Sequence, residues 1–151
     1  MAQRTIIVGI GSPIAGDDRA GLAVAELLAA SPLRGADVRE ARAGALDLLD
    51  LLPGYERAIL VDCLVTADPR PGRIHRLGLA SMPAGGWTTP HDIGIAEAFE
   101  LGRQMGIPMP EEVEIIAIEA APPAVLTDAL TPAVQAAVET VAGQLRELFP
   151  G

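Results

Sequence analysis

Two adjacent acids, Asp17 and Asp18, close the glycine-rich stretch GIGSPIAGDD at residues 9–18. Glycine-rich turns that run from a strand into a helix usually cradle phosphate through backbone N–H groups. Here both phosphate templates fail. The dinucleotide fingerprint G-x-G-x-x-G has Gly9 and Gly11 but Ile14 at its third place. The P-loop spacing fits Gly11 and Gly16, yet Asp17 and Asp18 stand where lysine and a hydroxyl belong. The charge of such a turn favours a cation over a phosphate. Asp17 is read as the cap of the following helix. Asp18 either complements the helix dipole or, at the carboxyl edge of a parallel sheet, holds a cation in the crevice where α/β proteins bind ligands.

Asp62 lies in the same topological place, at the end of the apolar run AILVD. An acid there is costly unless it meets solvent, a partner or a metal, or caps a turn. His91 opens a later helical segment and can be solvated, hydrogen-bonded or turned toward the same crevice. Together Asp18, Asp62 and His91 make an incomplete metal site with coordination positions left open. Other cleavage chemistries lack their motifs. There is no G-x-S-x-G and no H-E-x-x-H, and Cys63 reads as a small buried filler. The remaining route is metal-assisted, with a cation polarising a carbonyl or activating water. His75 reads as a strand-face residue and Trp87 as core. Glu119, ending the last strand, is read as able to orient a neighbour and is left outside the site.

Alternating apolar elements must position these groups. RTIIVGI, DVREARA, RAILVDC and EVEIIAIE read as strands, and PRPGRIHRL turns into a short edge strand. Helices are expected over 17–30, within 45–54, from Pro90 with Thr89 as N-cap, and over 131–148. The last places Val134, Ala137, Val138, Val141, Leu145 and Leu148 on one face. Strands alternating with helices imply α/β architecture: a three-layer sandwich, with a mostly parallel twisted sheet between helices on both faces. One domain over 1–151 is expected.

Composition narrows the function further. Net charge is −9, and all eleven basic residues are arginine, which excludes lysine bases, Schiff bases and the P-loop lysine. An acidic chain with four aromatic residues lacks the basic stripe and stacking surface that nucleic acid requires. No apolar run approaches a membrane span, and the N-terminus reads as a strand rather than a signal peptide, so a cytoplasmic location is expected. One cysteine permits neither an internal disulfide nor a thiolate zinc cage.

The order of motifs resembles the hydrogenase maturation protease family. The likeness rests on G-x-G-x-P-x-x-G-D-D at 9–18, Val61-Asp62 with the downstream Pro71-Gly72, TTPHDIGIAEAF around His91, and VEIIAIE followed by LTPAVQAAVETV. The resemblance implies a metal-dependent endopeptidase, of the aspartic type in the family's classification. Its substrate would be the nickel-loaded precursor of a hydrogenase large subunit, from which it removes a C-terminal extension. Asp18, Asp62 and His91 would contact nickel that arrives with that precursor, and no nucleotide would be used. A monomer acting without nucleic acid or membrane is expected. A non-cleaving, nickel-sensing chaperone of the large subunit is the alternative. Ser12 replaces the family's common Asn and Arg19 its common Gly; the Arg19 guanidinium could pair with Asp17 or Asp18 and compete with a metal.

Overall fold

A computed structural model describes residues 3–81, 94–122 and 127–150. Five strands form one sheet: β1 (Thr5–Ile10), β2 (Asp37–Ala41), β3 (Arg57–Leu64), β4 (Ile74–Gly78) and β5 (Glu112–Glu119). Their order is β2-β1-β3-β5-β4. All pairs are parallel except β4 on β5. The interior strands β1, β3 and β5 carry the buried apolar runs Ile6–Val8, Ala58–Val61 and Ile115–Ile118, as strands covered on both faces do. Every residue of β1 is buried. The four principal helices are α1 (Ala20–Ala29), α2 (Leu48–Leu51), α3 (Ile95–Gln104) and α4 (Pro132–Leu148). The expected architecture is the one found.

Strand alternation divides the core. Ile7, Ile59, Val61, Cys63, Ile116 and Ile118 pack with α1 and α4. Ile6, Val8, Ile10, Leu60 and Ile115 pack with the α2 and α3 side, which includes Leu48, Ile95 and Phe99. The chain leaves β1 through α1 to reach β2 on one side, then crosses back through α2 to β3 on the other. This reversal opens a crevice between the carboxyl ends of β1 and β3, the place where such sheets bind ligands.

Three element boundaries differ from the sequence reading. The helix expected from Pro90 begins at Ile95 in the described residues, because Gly94 is extended at φ −86° and ψ 174°; Trp87, Thr89, Pro90 and His91 lie outside those residues. β3 continues two residues past Asp62, so that acid lies inside the strand. On α4, Val134, Ala137, Val138, Val141 and Leu145 are buried as expected, with Ala142. Leu148 is 52% exposed, because the chain leaves the helix there and Phe149 turns in to cover the end.

Candidate active site

The first acidic turn is held down by close backbone approach. A Cβ on Gly11 would stand 2.1 Å from the carbonyl oxygen of Asp18. A Cβ on Gly21 would stand 2.3 Å from the carbonyl oxygens of both Ile10 and Val61. Glycine at these positions therefore lets the start of α1 lie directly on β1 and β3. A short 3-10 turn, Gly16–Arg19, leads into that helix and carries both acids. Asp18 is 2% exposed, and its Oδ2 accepts the Ser12 N–H at 3.1 Å. The contact uses the backbone, so Ser12 serves as well as Asn would.

Asp62 is equally buried, and its Oδ1 accepts the N–H of Cys63 at 2.8 Å. Its neighbour Cys63 points to the opposite face, among the residues of α1 and α4. Burial pushes the Cys63 thiol well up, and the carboxylates of Asp18, Asp62 and Asp17 push it further. A thiol so shielded from ionisation is a poor nucleophile, in agreement with its reading as a filler. Asp18, in the turn after β1, and Asp62, near the end of β3, stand at the carboxyl ends of neighbouring strands. His91 lies outside the described residues. Among the described residues, no three His, Cys, Asp or Glu side chains cluster so as to hold a metal ion.

Asp17 corrects the sequence reading. It makes no side-chain cap to either the 3-10 turn or α1. Instead Oδ1 accepts the Thr131 N–H and Oδ2 accepts the Thr131 hydroxyl, both at 2.8 Å. Thr131 is the N-cap of α4, so Asp17 ties the acidic turn to a helix 114 residues away. Two backbone hydrogen bonds between Ile14–Gly16 and Thr127 reinforce that tie. Arg19 is also corrected. Its guanidinium meets Glu26 Oε2 at 2.5 Å, one face along α1, rather than Asp17 or Asp18.

A fourth buried carboxylate among the described residues, Glu119, is one that the sequence reading leaves outside the site. Its side chain accepts the Arg70 N–H, sits 2.7 Å from His75 Nε2 and takes the Thr66 hydroxyl at 3.4 Å. Burial pushes its carboxyl up, but the Arg70 N–H and His75 outweigh this, so Glu119 stays below the usual carboxylate range. The available signal was an acid ending an apolar strand whose antiparallel neighbour carries a histidine.

A family model described as hydrogenase maturation protease matches residues 23–147. The chain belongs to the hydrogenase maturation protease family. Among solved structures of similar shape is the hydrogenase maturating endopeptidase HybD from E. coli, 22% identical, with a TM-score of 0.77 over 96% of this chain and 91% of that one. HybD from Thermococcus kodakarensis, a [NiFe] hydrogenase maturation protease, is 22% identical with a TM-score of 0.75, covering 97% and 99%. The endopeptidase HycI from E. coli gives 22%, 0.75, 97% and 90%. No curated protein sequence matches the chain. In this hydrogenase maturation protease, no helix among the described residues is long and apolar enough to cross a membrane.

Proposed function

We propose that this chain is an endopeptidase that removes the C-terminal extension of a hydrogenase large-subunit precursor once nickel has been inserted. It acts in the cytoplasm as a monomer and needs no nucleotide. The observation that supports the reading is a pair of buried carboxylates, Asp18 and Asp62, at the carboxyl ends of neighbouring strands in a chain of this family. Two buried carboxylates suit a divalent cation, and the imidazole of His91 adds a borderline nitrogen donor that suits nickel. The metal is part of the substrate. Its arrival completes a site that the protein leaves open and so certifies the precursor as ready.

The chain's own residues do the holding. Ser12 N–H and Cys63 N–H fix one oxygen of each carboxylate, and the glycine-dependent contact of α1 with β1 and β3 fixes the spacing of the two turns. Asp18 could also accept a proton from attacking water. The non-cleaving chaperone rested on Arg19 occupying the acids, and Arg19 is engaged with Glu26 instead. The test is intact-mass analysis of a purified large-subunit precursor incubated with the protein, with and without nickel. Release of a C-terminal peptide from the loaded form alone is expected. Stable binding without any loss of mass would support the chaperone, and equal cleavage of nickel-free precursor would remove the metal check.

A further inference from the structure

Glu119 clamps one turn to the rim of the sheet. Its side chain accepts the Arg70 N–H, its carbonyl accepts the Gly72 N–H at 2.8 Å, and its own N–H meets the Arg73 carbonyl at 2.8 Å. Between these contacts Arg70-Pro71-Gly72-Arg73 closes on itself, the Arg73 N–H reaching the Arg70 carbonyl at 3.2 Å. Proline in second place and a glycine at φ +91° in third are the pattern of a type II turn. The turn also leans on α4, since a Cβ on Gly72 would stand 2.8 Å from the carbonyl oxygen of Ala133. Glu119 pairs with Leu64, two residues beyond Asp62. About 8 Å therefore separates the Cα atoms of Asp62 and Glu119. The turn lies at the rim of the same carboxyl edge.

Both long side chains of the turn are cationic. Arg70 and Arg73 are exposed, and the two ends of a β-turn lie within about 7 Å of each other. Among the described residues, neither guanidinium makes a hydrogen bond or an ion pair. Elsewhere the chain matches cation to acid: Arg19, Arg42, Arg57, Arg76 and Arg103 each meet a glutamate. Acids number 20 against 11 arginines, so partners are not scarce. Two like charges on neighbouring stems repel, and the Glu119 clamp keeps them side by side with no anion of the chain between them. A carboxylate from outside relieves that repulsion, and the guanidinium fork is shaped to take one.

We propose that Arg70 and Arg73 form a docking point for an acidic segment of the precursor large subunit. The inference rests on the endopeptidase reading above for the identity of the partner. The rim then offers both signs of charge along one edge. Asp18 and Asp62 meet the metal of the precursor, and the arginine turn meets carboxylates on its surface. One contact of each sign fixes the orientation of the bound precursor. The turn also answers the net charge of −9, which repels an acidic partner from the protein as a whole. Glu119 serves the docking point by holding the backbone of Arg70.

The test is the affinity of the protein for purified nickel-loaded precursor at about 0.05 M and about 1 M salt. Peptide release and thermal melting are followed on the same samples. The double variant Arg70→Gln, Arg73→Gln is compared with Arg34→Gln, Arg39→Gln, whose exposed arginines lie before and on β2, the opposite edge strand. Both doubles change the net charge equally. At low salt the turn variant is expected to bind about tenfold more weakly than wild type, and the matched variant to stay within about twofold. In about 1 M salt, where screening leaves a reach of roughly 3 Å, the turn variant should come within about twofold of wild type. At saturating concentration it should release peptide at the wild-type rate, since neither arginine is among the groups proposed to meet the metal. Equal weakening by both doubles would overturn the proposal, because net charge would then account for it. So would unchanged binding by the turn variant at low salt, or a defect that persists undiminished at high salt. If the turn variant melts below the assay temperature, Arg70→Gln and Arg73→Gln decide singly, each expected to weaken low-salt binding about threefold; unchanged binding by both overturns the proposal. Wild type that binds loaded precursor without releasing peptide would bring down the endopeptidase reading alone, and the affinities would still decide the docking point. Wild type that does not bind the precursor would overturn both.

Discussion

Among the described residues, four buried carboxylates lie toward the carboxyl edge of the sheet, and they fall into two kinds. Asp17 and Glu119 reach across the molecule, to Thr131 at a separation of 114 residues and to Arg70 at 49. Asp18 and Asp62 accept N–H groups of their own turns, from Ser12 six residues back and from Cys63 next in sequence. The first kind joins segments that folding brings together. In the second kind one oxygen accepts a nearby backbone N–H, a contact that an amide in place of the acid would keep. Burial alone does not tell these four acids apart, since all are 7% exposed or less.

The sharpest way to break that comparison is to neutralise the locally braced pair. Asp18→Asn and Asp62→Asn keep the volume of each side chain and an acceptor for its backbone donor, but lose the charge that attracts a divalent ion. Each is expected to abolish peptide release from nickel-loaded precursor while circular dichroism and melting stay close to wild type. His91→Ala is expected to do the same. Retention of even a tenth of wild-type cleavage in Asp18→Asn would remove that residue from the nickel contacts.

Asp17 should behave in the opposite sense. Asp17→Ala strands the N–H and hydroxyl of Thr131 at the start of α4, and charged hydrogen bonds of this kind contribute roughly 1.5–3 kcal/mol each. A loss of about 2–4 kcal/mol is expected, or a fall in Tm of about 5–15 °C for a chain of this size. Cleavage measured well below the new Tm should remain. Sequence alone suggested a mild helix cap here, because an acid before an apolar helix is read against its own helix first. The partner was legible only as a Thr-Pro start to α4, with nothing in the pattern to join the two.

Much of the fold was legible for a physical reason. Apolar runs such as IIVGI and AILV can only be buried strands, and their alternation with helices forces a layered parallel sheet. The β1–β3 crevice follows from that order, and so does the place of Asp18 and Asp62 at neighbouring strand ends. What pattern could not supply was the pairing of side chains across long loops. Glu119 was excluded from the site because its partner His75 sits on a strand 44 residues earlier in the chain, and antiparallel register cannot be counted out from composition.

Glu119 provides a smaller test through pH. Its folded-state pKa is lowered from the usual 4.5 by the Arg70 N–H and His75, against the opposing effect of burial. A depressed carboxyl contributes stability that is fully present above the unfolded value and is lost as pH falls through the folded one. The stability advantage of wild type over Glu119→Gln should therefore hold at neutral pH and shrink progressively below about pH 4.5. Urea midpoints measured from pH 7 to 3 would show it. A difference that stays constant across that range would mean that the contacts of Glu119 do not depend on its charge.

Arg19 should give the smallest effect of all. Its place beside the acidic pair suggests a cation that competes with a metal, and on that view its removal would raise activity. The structure turns the guanidinium along α1 to Glu26, whose side chain is 43% exposed. An exposed ion pair contributes about 0–1 kcal/mol and is screened by salt. Arg19→Ala leaves Asp18 with its Ser12 contact and removes no group from the crevice. Its cleavage rate is expected to stay within about twofold of wild type, since nothing that touches the reacting groups changes, and its Tm should fall by at most a few degrees. The double variant Arg19→Ala with Glu26→Ala should match the single one in cleavage. A rise in rate of tenfold or more in Arg19→Ala would mean that the guanidinium leaves Glu26 in solution and occupies the acids. The charge proposed to meet nickel at Asp18 would then already be met by a cation of the chain itself, and the comparison would fail at its central residue.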